Sequence, residues 1–290
     1  MTGAADLRRD AEALAAPLPA LMAEAEHLAA NVVLGEHGRR RAGLGDEFWQ
    51  YRAATGSDEA RMIDWRRSAR SDAHFVREKE WQAAQTVELW VDDAASMRFS
   101  GDARPDKAAR ARLLALALSV LLVRGGERVG LPAAGLRPGR GEAQLTRLGA
   151  ALAGGETDAD YGAPGMGALP PHGRAVFLSD FLGDPAPVEA ALARAADRGV
   201  RGAMLMVLDP AEEDFPYHGR TIFESMGGTL RHETLKAGEL RARYRERLAA
   251  RKARLADLAR IAGWEFGLHH TGGPALPALL WLYRALERRR

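Results

Sequence analysis

Three aspartates, Asp92, Asp180 and Asp209, each follow directly on an apolar run: TVELWV (86–91), AVFLS (175–179) and AMLMVL (203–208). In an open parallel sheet, ligands gather beyond the carboxyl ends of the strands, so carboxylates at such positions can share one crevice. Around the first run the text is VDDAASM (91–97), which puts Asp92 and Ser96 on one turn. With Asp180 they offer oxygens of the kind that Mg²⁺ takes, the rest of its shell being water. The same residues suit a plainer role, in which Asp92 caps its turn and Asp180 bonds the backbone of its own loop. Both readings stand at this stage.

A second concentration of chemistry lies in GLGDEFWQYRAATGSDEARMIDWRRSARSDAHFVREKEW (43–81). Here Trp49, Trp65 and Trp81 stand among Arg52, Arg61, Arg66, Arg67, Arg70 and Arg77, with Asp46, Glu47, Asp58, Asp64, Glu78 and Glu80 interleaved. Tryptophan is a large apolar body with one donor, and arginine a planar fork that pairs with carboxylates and stacks on rings. The close interleaving predicts a self-satisfied clamp, with Trp65 buried, Asp58 or Asp64 paired to an arginine, and some arginines left as a docking edge. Were the stretch chiefly a docking surface, Trp65 would be exposed. Only Arg39, Arg40 and Arg41 are basic without neighbouring acids, so no nucleic-acid partner is expected.

Several chemistries lack their usual signals. The chain has no cysteine, which removes thiolate nucleophiles and cysteine-held metals. The eight histidines do not show HExxH spacing, and neither GxSxG nor GxxxxGK[ST] occurs. We therefore expect a protein that is not an enzyme. The 41 Lys and Arg against 39 Asp and Glu leave a formal charge of +2, too small to imply a polyanion partner. Two apolar stretches, ALAAPLPALMA (13–23) and LLALALSVLLV (113–123), resemble membrane signals. The first contains two prolines and is flanked by acids, and the second is far short of a span. A cytoplasmic chain without stable membrane insertion is expected.

The elements that must position these groups follow from periodicity. Residues 5–34 are Ala/Leu/Glu-rich and read as helix broken near Pro17 and Pro19, while 35–81 lack a clean period. From residue 86 onward strands and helices alternate: strand 86–91, helix 106–124, a weaker strand 128–133, helix 143–153, strand 174–180, helix 185–198, strand 202–209, helix 235–262, edge strand 264–269 and helix 276–286. The strong strands are continuous apolar runs, the mark of a mostly parallel sheet covered on both faces. The expected class is α/β, with residues 1–84 an N-terminal helical segment and Arg/Trp-rich accessory region packed on the core, and 85–290 the α/β domain.

From about residue 28 to its end the chain resembles the bacterial family of unknown function numbered fifty-eight, whose core is similar to the von Willebrand factor A domain. The resemblance rests on GEHGRRRAGLGDEFWQYR (35–52), SDEARMIDWRRSAR (57–70), FVREKEW (75–81), LWVDDAASMRF (89–99) and FLSDFL (177–182). It implies a metal-ion-dependent adhesion motif, Asp-x-Ser-x-Ser, in the first turn. Asp92 and Ser96 match its ends and Asp180 its later aspartate, but Ala94 replaces the middle serine. Thr146 is a candidate for the motif's threonine. The resemblance thus implies a degenerate site of Asp92, Ser96 and Asp180 with weak Mg²⁺ binding, which Ala94→Ser would strengthen. In the accessory block Ser57 stands where the family has glycine, and Trp49, Arg52, Asp58, Arg61, Asp64, Trp65, Arg70 and Arg77 form the clamp or docking set. The family is encoded beside MoxR-type AAA+ ATPases. The resemblance accordingly implies an interaction or assembly factor acting with such an ATPase on a client that the sequence does not name. A divalent-metal-dependent hydrolase using Asp92 and Asp180 is the alternative.

Overall fold

The computed structural model describes residues 17–32, 39–43, 47–55, 58–69, 73–101, 105–155, 157–165 and 171–287. The chain forms two units, one comprising residues 36–85 and the other the remainder.

In the larger unit, β4 (Thr86–Val91), β7 (Arg174–Ser179) and β8 (Arg201–Leu208) are adjacent and parallel, as their apolar runs predict. Outside them lie β5 (Arg128–Leu131) beside β4, β6 (Leu136–Gly139) antiparallel on β5, and β11 (Glu265–His270) parallel on β8. The order is β11-β8-β7-β4-β5-β6. Alternate residues of the central strands feed two separate cores. Val87, Leu89, Val91, Val176, Leu178, Leu205 and Val207 face one side, and Trp90, Phe177, Met204, Met206 and Leu208 the other. This is why the strands read as unbroken apolar runs: both faces are covered.

On the first side lie α1 (Pro17–Ala30), α3 (Lys107–Arg124), α4 (Glu142–Gly154) and α8 (Ala275–Glu287). On the second lie α5 (Ala186–Asp197) and α7 (Ala237–Ala262). Helix α3 starts where Asp106 accepts the Ala109 N–H at 2.6 Å and ends at Gly125. Leu114, Leu116, Leu118 and Leu121 along it are almost wholly buried, each burial contributing about 1.5–3 kcal/mol. Helix α1 joins this unit and not the Arg/Trp-rich stretch, because Ala25 and Ala29 let it lie close on the core, with Val32 just beyond. The hairpin of β9 (Thr221–Glu224) and β10 (Arg231–Thr234) and the short α6 (Pro210–Asp214) complete the unit.

The smaller unit is an antiparallel sheet, β1 (Arg39–Gly43), β3 (Phe75–Ala83) and β2 (Glu47–Ala53) in that order, with a one-turn helix α2 (Trp65–Ser68) between β2 and β3. The stretch that shows no period in the sequence thus contains three strands.

Candidate functional site

The chain leaves β4 toward β5 on one side and returns to β7 on the other, so the topological switch point lies between β4 and β7. Asp92 and Asp180 are the residues just past these two strands. Asp209 follows β8 next door, and all three are buried.

Asp92 is held from both sides. Its Oδ1 accepts the Ala94 N–H at 2.9 Å, and its Oδ2 accepts the Ser179 hydroxyl at 2.6 Å. Ser179 Oγ in turn accepts the Phe181 N–H at 2.9 Å. Burial pushes the Asp92 carboxyl up to about 6. These hydrogen bonds pull it partly back, and the charges of Asp180 and Asp93 add a smaller upward push. A loop covers the turn. The Ala95 and Ser96 N–H groups donate to the carbonyls of Ala159 and Asp160 at 2.8 and 2.9 Å. Gly162 presses so closely on Asp92 that a Cβ there would fall 2.1 Å from Oδ1. The Asp160 side chain ties this loop to the β9–β10 connection, accepting from Gly227 N–H at 2.6 Å, from Ser225 Oγ at 3.1 Å and from the Thr229 hydroxyl.

Asp180 meets a residue that the sequence does not mark out. Lys107, the first residue of α3, is fully buried and its Nζ donates to Asp180 Oδ2 at 2.8 Å and to Glu212 Oε1 at 2.5 Å. Asp180 Oδ1 accepts the Leu182 N–H at 3.0 Å. Glu212 is fixed by the capping box of α6, its Oε2 accepting the Asp209 N–H at 2.9 Å. Asp209 closes the box by accepting the Ala211 N–H at 2.8 Å, and takes the Thr271 hydroxyl at 3.2 Å. Burial alone would push Lys107 down, but Asp180 and Glu212 outweigh it and hold the ammonium above the ordinary lysine value. The Phe99 ring lies 5.8 Å from Nζ.

These strand-end aspartates and the Arg/Trp block from residue 50 onward lie within residues 50–254, which match the family described as Protein of unknown function DUF58. The chain belongs to that family. Comparison with curated proteins and with solved structures returned no match. The central mostly parallel sheet with helices on both faces gives this DUF58 member a von Willebrand factor A-like architecture.

The adhesion motif of such a core implies a divalent cation, and the donors here do not fit one. One observation favours it: the Ser96 hydroxyl is buried and has no hydrogen-bond partner among the described residues. The others oppose it. Asp180 already carries a buried ammonium, and a divalent ion sharing that carboxylate would be repelled by the like charge of Lys107. Thr146 lies elsewhere, exposed on α4 with its hydroxyl bonded to the Glu142 carbonyl at 3.1 Å. Its assignment to the motif is therefore corrected: the loop over Asp92 is 157–162.

In the smaller unit Asp58 and Asp64 each hold nearby backbone. Asp64 caps α2 by accepting the Arg67 N–H at 3.0 Å and also takes the Tyr51 hydroxyl at 3.1 Å. Asp58 accepts both the N–H and the hydroxyl of Thr55, at 2.7 and 2.9 Å. The Arg67 guanidinium lies over the rings of Tyr51 and Phe75, 5.2 and 5.7 Å from their centroids. Arg61 is exposed and pairs with Glu59. Trp65 meets the His74 ring edge-on and is 57% exposed. The expected burial of Trp65 is overturned, because it starts a single-turn helix that turns its indole outward. Trp49, Arg52 and Arg77 are placed on β2 and β3, but their side chains, and Arg70 as a whole, lie outside the described residues.

Proposed function

We propose that this chain is a non-enzymatic interaction or assembly factor whose Trp65 surface docks a protein partner. The observation that carries the reading is the exposure of Trp65 together with Met62 and Tyr51, amid Arg61, Arg66 and Arg67. Tryptophan, tyrosine, methionine and arginine are the side chains enriched at protein interfaces, and tryptophan and arginine most often dominate their energy. Family resemblance names the partner as a MoxR-type AAA+ ATPase; the client remains the partner's to define.

The hydrolase alternative draws no support from the strand-end geometry. Asp92 has an amide and a hydroxyl donating to it, and Asp180 is tied to Lys107 and its own loop. Neither carboxylate is poised toward an open crevice. The reading is tested by retaining the chain on an immobilised MoxR-type ATPase from the same genome, with and without ATP. Wild-type chain is expected to be retained and Trp65→Ala lost. Equal retention of both would contradict the reading.

A further inference from the structure

We infer that the Lys107 ammonium is the resident cation of the strand-end site, standing where an adhesion site of this architecture would use a divalent metal. The inference concerns the core and does not depend on the Trp65 surface.

The placement of Lys107 is costly unless it has this role. A fully buried ammonium forfeits its hydration, and the N-terminal end of a helix is the wrong end for a positive charge, since the helix dipole opposes it there. A solvated lysine at this position would swing outward along its flexible stem. Lys107 instead turns inward to two carboxylates from separate parts of the chain: Asp180, just past β7, and Glu212, in the first turn of α6. The ammonium thereby joins α3, the end of β7 and the cap of α6 at the sheet's carboxyl edge. Joining strand-end loops through one positive charge is what a metal ion does in a site of oxygen ligands.

Three consequences separate this from a site that has merely lost one hydroxyl. Ala94 is fully buried, and returning a serine there supplies a ligand without removing the competing charge, so Ala94→Ser alone does not create metal affinity. Removing the ammonium leaves Asp180 and Glu212 without a cation, and a divalent ion then stabilises the fold. Finally, Lys107 has no exposed surface, so a partner's carboxylate cannot reach it as it would reach a metal's open position. Recognition through an acidic side chain on a bound ion is therefore not available to this chain.

The test uses Mn²⁺ alone. Purified wild-type chain and Ala94→Ser are titrated with Mn²⁺ while the free-ion electron paramagnetic resonance signal is followed. Both are expected to leave the signal unchanged. Binding to wild type with Kd below about 100 μM, abolished by Ser96→Ala, would overturn the inference, and so would binding gained by Ala94→Ser alone. Lys107→Met, which keeps the aliphatic bulk, is then melted in EDTA and in millimolar Mn²⁺. A lowered melting temperature in EDTA that rises again with Mn²⁺ is expected; no loss in EDTA would also overturn the inference. The titration needs only folded wild-type chain, so it decides even where Lys107→Met does not fold.

Discussion

The two charge-rich regions of this chain handle their charges in opposite ways. Past the ends of β4, β7 and β8, Asp92, Asp180, Asp209 and Lys107 are buried, and each has partners set by the sheet. In the smaller unit, Asp58 and Asp64 tie down nearby backbone, while Trp65, Arg66 and Arg67 are exposed. A buried charge left without its partner costs several kcal/mol, whereas an exposed one costs little. One region is a structural joint and the other a surface. Burial, not residue type, makes the difference.

The largest effect expected from breaking this contrast is at Asp180. Asp180→Ala leaves Lys107 with Glu212 alone and removes the acceptor for the Leu182 N–H. Urea unfolding should show a loss of about 3–5 kcal/mol. The matching substitution in the other region, Asp58→Ala, removes the turn contacts to Thr55 from a half-buried side chain and should cost about 1 kcal/mol. Similar losses at the two sites would erase the distinction.

A smaller effect is read from pH. Asp92 ionises only near pH 6 in the folded chain, against 3.8 ordinarily. Stability from this group therefore falls as pH rises from 3.8 to 6, by up to about 3 kcal/mol. His269 moves the other way. Burial, with the neighbouring charges of Arg110 and His270, lowers it to about 4 from 6.5, and Arg110 Nη1 lies 3.2 Å from its Nε2. Its contribution is present above pH 6.5 and is lost as pH falls toward 4, by about 2 kcal/mol after solvent screening. The two slopes oppose each other between pH 4 and 6. Asp92→Asn should therefore make the chain more acid-sensitive across that window, and His269→Gln less so. Chemical unfolding at a series of pH values gives both slopes; the same slope in the two variants would contradict the assignment.

Gly162→Ala should follow in size. The added methyl would meet Asp92 Oδ1 at 2.1 Å, and the loop must shift to relieve it, at a cost of about 1–3 kcal/mol. Thermal unfolding measures this directly. An unchanged melting temperature would show that the loop does not rest on Asp92.

Much of the core was legible because its signals are local and redundant. TVELWV, RAVFLSD and GAMLMVLD are covered on both faces, so their apolar runs needed no partner to be recognised. Asp106 and Gly125 bound α3 at the expected places. The β9–β10 hairpin was not legible, since its residues are mostly exposed and carry no apolar alternation, and β6 is a short edge strand containing Pro138. Asp92 and Asp180 were marked by their position after apolar runs. Lys107 was not, for a lysine opening a helix reads as solvated, and its partners are 73 and 105 residues away. Its one local clue is that it opens an alanine- and leucine-rich helix as the only lysine there. The outward turn of Trp65 was missed because the interleaved acids and arginines suggested a packed clamp, whereas Trp65 opens a single-turn helix capped by Asp64.

The smallest expected change in stability also gives the sharpest test of the proposed docking surface. Trp65 is already 57% exposed, so Trp65→Ala should cost less than about 1 kcal/mol while removing the anchor of that surface. Thermal unfolding and retention on the immobilised MoxR-type ATPase are to be measured on one sample of that variant. A near-wild-type melting temperature together with lost retention is expected. A variant that unfolds as wild type does and is still retained would contradict the docking role of Trp65.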